Sequence, residues 1–165
     1  MANVVTYKAH PDIRCIRMSN GLTSVFVSVL VLAASELAET DRQREFAAWF
    51  ASHDQGVWGP GTVGFDMSEL PWSLDTFAGD RGFVLRVIHV AKARAGWERL
   101  GYEPREEWVQ HRLDQFRAMV ETFSIEHADG SEAAVWTCGR PTQLVLCPVH
   151  RVYQHEHGCV LCSDQ

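Results

Sequence analysis

Residues 24–37 read Ser-Val-Phe-Val-Ser-Val-Leu-Val-Leu-Ala-Ala-Ser-Glu-Leu, and the fold turns on which period that run obeys. As a strand, Val25, Val27, Val29 and Val31 alternate to one face; as a helix, Phe26, Leu30, Ala33 and Leu37 share one side. Both templates fit residues 24–34. The stretch continues into Ala- and Leu-rich sequence, which favours a helix starting at Ser24. Its most apolar window, Val25 to Ala34, is shorter than the roughly 20 residues that span a bilayer and contains Ser28. It is therefore expected as buried core, with no membrane as partner.

On the N-terminal side, residues 3–8 and 13–18 are rich in Val, Ile, Tyr and Thr and flank His10-Pro11-Asp12, a pattern for two strands and a turn. On the C-terminal side, Thr40 or Asp41 can cap a helix over about 41–53 that sets Phe46, Trp49 and Phe50 on one side. Gly59-Pro60-Gly61 forces a turn into a strand at Thr62-Val63-Gly64-Phe65-Asp66-Met67. Val84, Val87, Ile88 and Ala91 predict a helix over about 80–95, ended by Gly101 and Pro104. A further helix over 105–124 carries Val109, Leu113, Phe116, Val120 and Phe123 in 4-3-4-3 steps. These elements make the chain α+β, a helical and short-strand body over 1–132. Val135 to Cys138 and Leu144 to Leu146, joined by a Gly139-Arg140-Pro141 turn, then predict a hairpin in a zinc-knuckle tail over 133–165 packed on or beside that body. No internal repeat or low-complexity segment is present.

That hairpin would deliver Cys147 to its tip. The chain ends Cys147-Pro148-Val149-His150, eight residues, then Cys159-Val160-Leu161-Cys162. Two ligand pairs of this spacing, each on a tight turn, can fill the four corners of a tetrahedral zinc shell with sulfur and nitrogen donors. His155 or His157 could replace His150; the spacing from Cys147 favours His150. Pro148 stiffens the first turn, and Gly158 is expected to allow close backbone approach at the second. Four protein ligands leave no position for water, which marks a structural zinc. The remaining cysteines, Cys15 and Cys138, read as small buried hydrophobes.

The composition of the 165 residues, 46% hydrophobic with six Trp and eight Phe, is that of a globular chain and not of a disordered one. The N-terminus lacks a basic stretch leading into an apolar run, so no secretory signal is read and a cytoplasmic address is expected. Net charge is −6, and residues 36–69 hold seven acids against Arg42 and Arg44. That argues against nucleic acid as partner and allows an acidic face that attracts a basic protein. Trp58 and Trp72 flank turns beside it, so Glu45, Trp58, Asp66, Glu69 and Trp72 are the candidate partner-binding residues.

Catalytic signatures are sparse. The glycines between Gly56 and Gly64 lack the Lys-Ser/Thr of a phosphate-binding loop, and His155-Glu156-His157 lacks the helical spacing of a metalloprotease and reads as solvated strand. Asp66 and Glu69, with His89 or His111, are the acid–base groups an enzyme reading would use. A zinc-ribbon adaptor for nucleic acid is a third reading, and it would require a basic face. The run Gly64 to Trp72, with Gly96-Trp97-Glu98-Arg99-Leu100-Gly101-Tyr102-Glu103-Pro104, resembles small bacterial proteins of the toxin-immunity kind over about residues 44–124. The resemblance implies a cytoplasmic protein that neutralises a toxin by binding it, without catalysis and with no part for the zinc-binding end.

Overall fold

A computed structural model describes residues 3–163, with the backbone alone for 132 and 133; the outermost positions of the two expected units, 1–2 and 164–165, lie outside it. The run that opened the sequence reading is a helix, α1 (Asn20–Leu37), longer at its start than expected. Ser19 caps it by accepting from Leu22 N, so Asn20 and Gly21 form an exposed first turn. By length and composition α1 could cross a membrane, and 61% of it is buried here inside the protein itself. Its central stretch, Val25 to Ala34, is buried on all sides. A helix enclosed all round has no polar face to show, which is why its sequence carries no clean helical stripe.

Around α1 pack α2 (Asp41–Ala51), α4 (Phe77–Lys92) and α5 (Glu106–Thr122). Between α2 and α4 runs the short α3 (Gln55–Trp58). Thr40 and Gln43 form a reciprocal capping box at the start of α2. Arg42 on α2 clamps Asp80 on α4, with Nη2 to Oδ2 at 2.8 Å and Nε to Oδ1 at 3.3 Å, and Asp80 is 4% exposed. The α5 stripe lies on the core as its spacing predicts, with Val109, Leu113, Phe116, Val120 and Phe123 all buried. Helix α4 starts and stops three residues earlier than the sequence suggests. Arg94 at φ 65° and Gly96 at φ 77° terminate it, ahead of Gly101 and Pro104.

The sheet is small. Strand β1 (Asn3–Thr6) sits between β2 (Ile16–Met18), antiparallel to it, and β3 (Gly64–Asp66), parallel to it. Gly64 opposes Val4 so closely that a Cβ would stand 2.5 Å from the Val4 carbonyl oxygen, so this register demands glycine.

The expected C-terminal hairpin does not form among the described residues. Residues 132–135 make a helical turn, α6 (Glu132–Val135), and beyond it the described residues pair in ladder fashion at the bridges Leu146 to Tyr153 and His155 to Gly158. The segment is captured by the body instead: Trp49 Nε1 donates to Val135 O at 2.7 Å, and Gly139 packs against Ser52 with room for no Cβ. Tertiary contacts here override strand propensity. Val152, Tyr153, Val160 and Leu161 belong to the same apolar cluster as α1 and α2, so the C-terminal segment shares the body's core.

Behind α2, His53 lies 5% exposed between Trp49, Trp58 and Phe65, and its Nδ1–H donates to Trp49 O at 2.8 Å. Burial disfavours its charged form and pulls its pKa down to about 4, against the smaller opposing pull of the Trp49 carbonyl. Between pH 6.5 and about 4 the unfolded chain takes up a proton that the folded chain refuses, so stability is full above 6.5 and falls as the pH drops. Denaturant titrations across that window should show a loss of about 3 kcal/mol in the parent. The variant His53→Asn, which keeps a donor for Trp49 O, should lack that component, and parallel pH profiles for the two proteins would refute the assignment.

Candidate metal centre

Cys147 enters a tight turn in which Arg151 N donates back to Cys147 O and Cys147 N to Val152 O, both at 2.8 Å. Arg151 takes φ 58°, the left-handed conformation that reverses the chain. The turn aims the amide of His150 at Cys147 Sγ, at 3.4 Å. The second pair opens α7 (Val160–Ser163), with Cys162 N bonded to Cys159 O. Gly158 before it has φ 127°, and nothing lies within 4 Å of where its Cβ would be. Glycine is needed there for the backbone angle, and the close approach expected from the sequence is not the reason.

These turns bring Cys147, His150, Cys159 and Cys162 together, with all four donor atoms within 4.8 Å of one another. His150 Nδ1 stands 3.9 Å from Cys147 Sγ, 3.7 Å from Cys159 Sγ and 3.4 Å from Cys162 Sγ; Cys147 Sγ and Cys162 Sγ are 3.9 Å apart. Bond lengths of about 2.3 Å to sulfur and about 2.0 Å to nitrogen in a tetrahedron separate donors by about 3.6–3.8 Å. The cluster has the size of a metal shell and can hold a metal ion. Cys147, His150 and Cys159 are buried, while Cys162 is exposed.

The thiols favour such an occupant. Burial works against ionisation of Cys147, yet the N–H groups of His150 and Val149 outweigh it and hold its pKa down to about 7. Cys159 is pushed up to about 12 by burial, with the neighbouring Cys147 adding to it against the amides of Cys162 and Leu161. One thiolate thus forms readily and suppresses the next, a conflict that a bound cation removes.

His155, the sequence alternative to His150, is spent elsewhere and is not solvated. It is 4% exposed, its Nε2 donates to Asp54 Oδ2 at 2.9 Å, and its Nδ1 accepts from His157 N at 3.0 Å. Asp54 also caps α3 by accepting from Gly56 N. His157 is exposed. The two-residue spacing suggested a strand, and no sequence signal pointed to a partner some hundred positions away.

Of the five candidate partner-binding residues, two are buried in the fold. Trp72 is 6% exposed, donates from Nε1 to Met67 O at 2.8 Å and stacks on Phe123. Asp66 is 6% exposed and accepts from Thr6 Oγ1, Lys8 N and Ser68 N. Glu69 is half-buried and accepts from Asp66 N, completing a capping box. Burial raises and these hydrogen bonds more than offset the Asp66 pKa, which ends lowered; burial raises that of Glu69. The pair thus organises a turn. Trp58 is half-buried with Nε1 on Ser52 O, and Glu45 is half-buried beside Arg42. Neither Cys15 nor Cys138 is fully buried, and His89 and His111 are both exposed.

Comparison with protein-family models, with curated proteins and with solved structures finds no match. The functional reading therefore rests on the residues themselves.

The Asp54–His155 bond ties the segment that carries the candidate donors to α3, and both partners are nearly enclosed. Asp54→Ala should cost about 1–3 kcal/mol, since it leaves the imidazole buried without its acceptor. A denaturant midpoint equal to the parent's would contradict this.

Proposed function

We propose that this chain is a non-catalytic binding protein whose C-terminal segment is fastened by one structural zinc. The observation that carries the reading is the four-donor cluster, three sulfurs and one imidazole nitrogen all within 4.8 Å of one another, with four of the pairs at 3.4–3.9 Å. Thiolate-rich sets of this kind suit zinc, and a shell closed by protein leaves no corner for a reacting water. Three thiolates and a zinc dication add a further negative charge to a chain already at −6. The site would be a fastener, with reduced cysteines that suit a reducing compartment such as a bacterial cytoplasm.

The partner we propose is a basic protein, in the manner of an immunity protein seated on a toxin domain. Glu36 and Glu39 are exposed where α1 passes into α2, followed by Asp41 and Glu45, which Arg44 and Arg42 on the same helix partly neutralise. An acidic ridge of this kind draws a basic surface by long-range attraction. The likeness of residues 44–124 to immunity-type proteins points the same way.

Elemental analysis of the purified protein should find one zinc per chain. Cys159→Ser should lose the metal and lower Tm by about 10 °C or more, because the binding energy of a structural site is folding energy. Parent protein devoid of metal after expression with zinc would sink the reading.

Pull-down from lysate of the native organism, at low and at physiological salt, should recover a stoichiometric basic partner. Glu36→Lys/Glu39→Lys should release it while leaving the fold intact, since cations near the C-terminus of α1 are well tolerated. Recovery of no such partner at either salt would count against the binding role while leaving the zinc assignment standing.

A further inference from the structure

The net charge of −6 conceals one concentrated basic spot. Arg14 and Cys15 before β2, Arg17 on β2, and His111, Arg112 and Gln115 on α5 line a cavity of about 360 Å³. Among these residues there is no carboxylate. Arg42, Arg44, Arg94 and Arg117 each hold an acid, whereas Arg14, Arg17 and Arg112, like Arg81, Arg86, Arg99, Arg105 and Arg151, enter no ion pair among the described residues. Arg112 Nη1 donates to Gln115 Oε1 at 3.0 Å, while its Nε is buried with no partner.

We infer that this cavity is a binding site for a compact phosphate-bearing anion. Three arginines from two parts of the chain line the one cavity, and an acidic protein had ample carboxylate with which to neutralise them. Their concentration without a counter-charge is explained when the counter-charge is the ligand. Guanidinium forks match the oxygens of a phosphate in bidentate fashion. The volume sits near the lower end of small-molecule sites, about 300–1,000 Å³, and suits a phosphate monoester or free phosphate. Nucleic acid fits poorly: a polymer's phosphates would run from this isolated spot onto a surface of net negative charge. The site is remote in sequence from the metal-binding residues and is independent of the proposed zinc and of any protein partner.

Isothermal titration calorimetry of the full chain at low salt, with inorganic phosphate and with glycerol 3-phosphate as separate probes, tests this. Saturable one-to-one binding of at least one probe is expected, and which probe binds more tightly distinguishes free phosphate from a monoester. Arg17→Gln and Arg112→Gln should each weaken that binding about tenfold or more. Arg17 is exposed, so its variant keeps the core intact. Arg86→Gln, which alters an exposed arginine on α4, should bind as the parent does. Absence of saturable binding by both probes would overturn the inference, as would equal weakening by all three variants or tighter binding of a DNA duplex than of either probe.

Discussion

The enclosure of α1 is the constraint on which the rest of the protein depends. An 18-residue helix that is buried from Val25 to Ala34 needs cover on every side, and the helices α2, α4 and α5 with the small sheet supply it. Each fully buried Val, Leu or Phe contributes about 1.5–3 kcal/mol. Such a helix has no amphipathic face to orient it, so its neighbours must be set by their own polar ties. The Arg42–Asp80 clamp does this between α2 and α4, and the Tyr7 hydroxyl, bonded to His127 Nδ1 and Ser124 N, does it between the sheet and the end of α5.

Legibility of the sequence followed the range of the interactions. The α5 stripe, the capped α2 and the two cysteine-containing turns are local patterns, and each could be read because three- and four-residue spacings carry the physics. Residues 135–146 could not, since their fate is decided by Trp49 and Ser52, which lie far away in sequence. The same holds for Trp72, whose place beside a turn suggested exposure until Phe123 closed over it. The cluster of Arg14, Arg17 and Arg112 was equally hidden: Arg14 and Arg17 stand far from Arg112 along the chain, and only the packing of β2 beside α5 brings them to one cavity.

The segment that carries the four candidate donors is held by more than those donors. Arg99 Nη1 donates to His150 O at 2.6 Å, Tyr153 N to Ser35 Oγ and Arg44 Nε to the Tyr153 hydroxyl, both at 3.0 Å, and His155 to Asp54. These ties come from α1, α2, the loop before α3 and the turn after α4. The ligand turns are therefore oriented by the body as well as by one another. A pre-set cluster of this kind loses less chain entropy on taking up a cation than a free peptide with the same four residues.

That orientation has an electrostatic counterpart. The amides of Val149 and His150 favour the Cys147 thiolate, whereas burial and that thiolate together oppose the ionisation of Cys159. The local groups thus favour one thiolate and oppose the other. A dication among the four donors would let all three sulfurs ionise at once. The apolar residues Val152, Val160 and Leu161, already packed on the core around α1, then stay where the donors need them. Metal affinity and core packing would consequently reinforce each other, because any loosening of the segment from α1 would separate the ligands as well.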